Sequence, residues 1–166
     1  MAAAWVAVVG PGTASPAEAA LAEEVGAAVA AAGAVLVCGG LGGVMEAACR
    51  GARSRGGLTV GLLPGLDRDD ANGWVVVAIP TGLGEARNAL VVRAADALVA
   101  VGGGWGTLSE IALALKAGKP AVGIGSWELA RAGQPVEGLV AVEDPGEAVA
   151  DALRRAGARR RHSRPR

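Results

Sequence analysis

The stretch Ala97–Glu110, ALVAVGGGWGTLSE, decides how this chain is read. Its first five residues are apolar and too short a run for a helix, so they read as a buried strand over Ala97–Val101. From Thr107 the pattern turns helical and continues to Ala117. Between the two lies a glycine run, and the backbone N–H groups near Gly104 to Thr107 would stand unpaired at the head of a helix. There they are aligned with its dipole and suited to holding a phosphate. Glycine lets such a group approach the backbone closely. A second reading stays open at this point: Thr107 and Glu110 have the spacing of a capping box, and three glycines can also serve only a tight turn.

Working outward, short β-branched runs alternate with longer alanine-rich stretches, the pattern of β-α units. Strands are expected at Trp5–Val9, Val35–Cys38, Thr59–Leu63, Val75–Ile79, Ala97–Val101 and Ala121–Ile124. Helices are expected at Pro16–Ala32, Val44–Arg55, Glu85–Ala94, Thr107–Ala117 and Gly146–Ala156. The first helix carries Ser15 as cap, Pro16 at its first position and Glu18 three residues after the cap, and Gly33 stops it. The fold class that follows is α/β, a Rossmann-like doubly wound, mainly parallel sheet with helices on both faces.

In such sheets ligands sit at the carboxyl ends of the strands, near the point where strand order reverses. Four glycine-bearing loops fall at those ends: GPGTAS from Gly10, GGLGG from Gly39, PTGLGE from Pro80 and GGGWGT from Gly102. The candidate ligand- or phosphate-binding residues are therefore Gly10, Gly12, Gly39, Gly40, Gly43, Met45, Asn88, Gly103, Gly104, Trp105, Gly106 and Thr107. Arg87, at the head of the helix that opens on the same rim, has the fork that suits a phosphate or a carboxylate, though it could instead pair with Glu85 at the surface.

Composition narrows the chemistry further. A chain of 166 residues, 52% of them apolar, supports one domain, expected over 1–156, with a basic disordered tail over 157–166. The N-terminus has no basic flank and already reads as a strand, and no long uncharged apolar run occurs, so the expected setting is the cytoplasm, with no membrane partner. Cys38 and Cys49 are expected to be buried reduced thiols, and His162 alone cannot build a triad or a metal site in the folded body. Residues 1–153 hold nine basic against sixteen acidic residues, a net −7 that repels a phosphate backbone and argues against nucleic acid as a partner. No Gly-Lys-Ser/Thr occurs, which argues against P-loop hydrolysis, and GPGTAS is not a complete dinucleotide fingerprint.

Gly39–Ala52 and Pro80–Gly123 together resemble the molybdenum cofactor carrier protein group within the wider LOG ("lonely guy") phosphoribohydrolase superfamily, over about Val6 to Gly125. The resemblance implies a homo-oligomer, a dimer or dimer of dimers, and a phosphate pocket at the loops above. LOG enzymes cleave the N-glycosidic bond of nucleoside 5′-monophosphates, with the motif P-G-G-x-G-T-x-x-E and an upstream catalytic arginine. Here Gly103, Gly104, Gly106, Thr107 and Glu110 match that motif, and Arg87 matches the arginine, so Arg87 and Glu110 are the candidate catalytic residues. Two positions depart: Gly102 replaces the proline, and Asn88 stands where LOG enzymes usually have lysine. Those are features of the carrier group. The expected ligand is a phosphorylated small molecule. First comes molybdopterin, with the molybdenum cofactor as cargo and no cofactor required for catalysis; the alternative is a nucleoside monophosphate that is hydrolysed to free base and ribose 5-phosphate.

Overall fold

Successive residues of a strand point to opposite faces, so a strand apolar at both parities needs cover on both sides. Val6 and Val8 of the first strand face one way and Ala7 and Val9 the other, and all four are buried. The computed structural model describes residues 2–162, with the side chains of residues 160–162 excepted. Its strands are β1 (Trp5–Val9), β2 (Val35–Cys38), β3 (Thr59–Leu63), β4 (Val77–Pro80), β5 (Ala97–Val101), β6 (Ala121–Ile124), β7 (Ala130–Arg131), β8 (Gln134–Pro135) and β9 (Leu139–Ala141). Seven of them form one parallel sheet in the order β4-β3-β2-β1-β5-β6-β9, while β7 and β8 make a separate antiparallel hairpin.

The helices are α1 (Pro16–Ala31), α2 (Val44–Ser54), α3 (Asn88–Ala94), α4 (Trp105–Lys116) and α5 (Pro145–His162). On one face Val25, Val44 and Val149, from α1, α2 and α5, pack on Val6, Leu36 and Val99. On the other, Val91 of α3 and Ile111 of α4 pack on Val9, Val37 and Leu98. This is the doubly wound arrangement expected from the sequence. α1 and α2 lie unusually close, because a Cβ at Gly26 or Gly51 would overlap the opposing backbone of Ala48 or Glu23. The start of α1 is fixed by a complete capping box: Ser15 Oγ accepts from Glu18 N at 3.2 Å, and Ser15 N donates to Glu18 Oε2 at 2.8 Å. Such a cap contributes about 1 kcal/mol.

β1 pairs with β2 on one side and β5 on the other, and the chain winds outward from them in opposite directions. The reversal of strand order opens a crevice at the carboxyl ends of β1 and β5. Gly10 leaves β1 there, and Gly102 leaves β5.

Several boundaries differ from expectation. β9 and the β7–β8 hairpin were not expected, being two or three residues long and largely exposed. β4 begins at Val77 rather than Val75, since the Val76 amide donates to the Thr59 hydroxyl at 3.0 Å and the chain turns onto the sheet only after it. The helix expected over Glu85–Ala94 divides into a 3₁₀ turn over Gly84–Arg87 and α3. α5 passes Ala156 and runs to His162, so the first part of the expected tail is helical, and residues 163–166 lie outside the described residues. Arg159 Nη2 donates to the Ala117 carbonyl at 3.0 Å, just beyond the end of α4, which holds that turn of α5 to the body. Cys38 and Cys49 are buried free thiols with sulfurs 3.5 Å apart. Among the described residues, no helix is long and apolar enough to cross a membrane.

Candidate functional site

The loop after β5 leads into α4 two residues earlier than its sequence suggests. Gly104 is the N-cap, its φ is −116° and it offers no side-chain hydrogen bond, so the amides of Trp105, Gly106 and Thr107 form the uncapped first turn. Thr107 therefore sits inside the helix, 3% exposed, and Glu110 is 7% exposed. The capping-box reading of this pair is overturned: both side chains are turned into the protein.

They meet a cavity of about 380 Å³ at the crevice. Gly104, Gly106, Thr107 and Glu110 line it from α4 and its loop, and Arg87 and Asn88 from the start of α3. Gly10 and Gly12 close it from β1, and Gly39 and Met45 from β2 and α2. A Cβ at Gly104 or Gly12 would meet no atom within 4 Å, so these two glycines border open space.

Arg87 is the centre of the site. It is only 9% exposed, its Nη1 donates to Asn88 Oδ1, its Nη2 reaches the Gly39 carbonyl at 3.4 Å, and its buried Nε has no partner. The surface pairing with Glu85 does not form. Gly39 is required for this seat, because a Cβ there would lie 2.8 Å from the guanidinium carbon and from the Met45 sulfur. An unpaired buried N–H costs about 1–3 kcal/mol, a cost that an acceptor in the cavity would remove. Glu110 shares the cavity, and burial pushes its carboxyl up to about 7, with the Arg87 guanidinium opposing the rise. A proton on that carboxyl makes it a donor toward an anion; without it, the group is a buried acceptor.

The remaining expected residues are placed differently. Gly40 packs against Leu63 and Gly61, and Gly43 is the N-cap of α2 at φ +64°, pressed on Pro11 and Gly12. Gly103 lies under the Trp127 indole. Trp105 lines a neighbouring cavity instead. None of these four lines the 380 Å³ cavity.

The model of the SLOG cluster4 family matches residues 3–149. The chain belongs to that family. Its relatives include an uncharacterized protein of Archaeoglobus fulgidus, 43% identical over 87% of this chain and 91% of the relative. Among solved structures, the molybdenum cofactor binding protein of Rippkaea orientalis is 36% identical, covers 93% of this chain and 97% of its own, and superposes with a TM-score of 0.83. The molybdenum cofactor carrier protein of Chlamydomonas reinhardtii is 34% identical, with 94% and 99% coverage and a TM-score of 0.81. The resemblance read from the glycine motifs thus holds along nearly the whole chain.

The cavity and its rim also hold residues that the sequence did not mark as candidates. Pro11 and Leu41 line the cavity from within the glycine loops after β1 and β2, where an isolated apolar residue carries no signal of its own. Trp127 follows β6 on the same rim, where the strand-end rule could have found it; its Nε1 donates to the Gly104 carbonyl at 3.3 Å.

The departure at Gly102 has a structural reason. Its φ is +64°, which a proline ring forbids, and a Cβ there would press into the Glu18 carboxylate. The β5–α4 turn of this chain cannot be the turn that a proline would make.

Proposed function

We propose that this protein binds a phosphorylated, nucleotide-like small molecule by its phosphate and acts as a carrier of the molybdenum cofactor. The reading is carried by one observation: the buried Arg87 guanidinium, with its Nε unpartnered, shares a cavity with the uncapped first turn of α4. Amide donors, a helix dipole and a fixed cation converging on one space suit a terminal phosphate. The molybdenum cofactor binding protein of Rippkaea and the carrier protein of Chlamydomonas support the choice of cargo. In this role Gly10, Gly12, Gly39, Gly104, Gly106 and Thr107 would surround the phosphate, Arg87 would pair with it, and Asn88 would hold the guanidinium. Gly40, Gly43 and Gly103 would shape the loops from behind.

Anaerobic titration of the purified protein with molybdenum cofactor tests the proposal. Saturable binding, with the cofactor protected from oxidation, is expected; no saturable binding contradicts it. A dimer as the basic unit belongs to the same proposal, and light scattering of the purified protein checks it.

A hydrolytic reading is favoured by Arg87 and Glu110 lining one cavity. It would use the carboxylate to stabilise an oxocarbenium ion or orient water. Against it stand Gly102, whose φ excludes the motif proline, and Asn88 in place of lysine. Incubation with AMP at high protein concentration should give no free base or ribose 5-phosphate, and steady release of both would replace the carrier reading with the hydrolase.

A further inference from the structure

Beside the phosphate cavity lies a second, of about 610 Å³, which shares Leu41, Arg87, Asn88 and Gly106 with it and adds Glu85, Trp105 and Ser109. The two are compartments of one depression, with Arg87 on the divide. A ligand whose phosphate sits at the α4 amides would carry the rest of its body into this second space.

The chemistry of the second compartment is distinct. Trp105 is 79% exposed, an unusual state for the largest apolar side chain. It is also held in place: its ring lies 5.3 Å from that of Trp127, tilted by 37°, and Trp127 is itself tied to the Gly104 carbonyl. A positioned indole with free surface is a platform on which a flat ring can stack. Glu85, on the 3₁₀ turn that leads to Arg87, is exposed and forms no salt bridge among the described residues. The carboxylate has two acceptor oxygens and no donor, so it suits a ring edge presenting two adjacent N–H donors.

We propose that Trp105 and Glu85 form a ring-recognition subsite for a phosphorylated heterocycle with a 2-amino-4-oxopyrimidine edge. That edge, with a ring N–H next to an exocyclic amine, is common to guanine and to pterins. Hypoxanthine lacks the amine, and adenine presents an acceptor where the ring N–H would be, so both leave one carboxylate oxygen without a partner. The subsite rests on the phosphate-anchored reading above and sets its selectivity.

The test is calorimetric titration of the full-length protein with ribose 5-phosphate, AMP, IMP, GMP and neopterin monophosphate. Ribose 5-phosphate reports the phosphate compartment alone. GMP and the phosphopterin are expected to bind about tenfold more tightly than IMP or AMP. The tighter of the two identifies the source of the ring, and either ranking supports the subsite. Trp105→Ala should weaken the ring-bearing ligands by about tenfold or more, Trp105→Phe should restore most of the loss, and ribose 5-phosphate should bind both variants as it binds the parent. Glu85→Gln should bring GMP down to the affinity of IMP. AMP binding as tightly as GMP, or Trp105→Ala leaving GMP unchanged, would overturn the subsite while the phosphate reading stands. Failure of ribose 5-phosphate itself to bind would remove the phosphate reading and the subsite with it.

Discussion

Two glycine loops of nearly the same composition face each other across the crevice. The loop after β2, GGLGG, uses two of its glycines against protein: Gly40 rests on Leu63 and Gly61, and Gly43 on the backbone of Pro11 and Gly12. The loop after β5, GGGWGT, leaves Gly104 facing empty space, with the uncapped turn of α4 behind it. The same residue type serves packing at Gly40 and Gly43 and access at Gly104. What marks a ligand site is therefore the space a missing Cβ leaves open, together with donors that lack partners, and not the number of glycines.

Substitutions on the two sides should separate these uses. The largest effect is expected at Gly43→Val, which combines a β-branched residue at φ +64° with overlap onto Pro11. It should lower folding stability by about 3 kcal/mol, read from chemical denaturation. Gly104→Val makes the opposite prediction. Its φ suits any residue and nothing stands in the way of the side chain, so the melting temperature should hold while affinity for a phosphate monoester falls about a hundredfold. If Gly104→Val cost as much stability as Gly43→Val, or Gly43→Val cost none, the contrast between the loops would be wrong.

Glu110 sharpens the comparison from the α4 side. Its folded-state carboxyl is raised to about 7 by burial, from an ordinary 4.5, so the folded protein holds this proton more tightly than the unfolded chain does. The stability it contributes is fully present below pH 4.5 and is lost as pH rises through about 7. Thermal denaturation should show a loss of about 2–3 kcal/mol between pH 5 and pH 8, and Glu110→Gln should remove that slope. The smallest effect is expected from Arg87→Lys, which keeps the charge but loses the fork. Phosphate affinity should fall about tenfold with little change in fold.

Much of this was legible in the sequence, for reasons that can be named. The buried strands announce themselves because ALVAV and WVAVV are apolar at both parities, and the glycine loops fall at strand ends because the β-α alternation puts them there. Arg87, Gly104, Gly106 and Thr107 follow from the same placement, and Glu110 from the resemblance to the LOG motif. Other positions resist reading: a glycine looks the same whether it yields room to protein, as Gly40 and Gly103 do, or to a ligand. The Thr107–Glu110 spacing fits a cap as well as it fits a buried pair, and only the start of α4 at Trp105 decides between them. Short elements such as β9 and the β7–β8 hairpin carry too few residues for any period to emerge.

The most direct measurement is a ¹⁵N-edited NMR titration with ribose 5-phosphate, in which each glycine amide reports separately. Saturable shifts should concentrate at Gly104, Gly106 and Thr107, with smaller ones at Gly10 and Gly12, while Gly40 and Gly43 stay nearly still. Shifts absent from the first turn of α4, or centred on another part of the molecule, would contradict the assignment of the phosphate site.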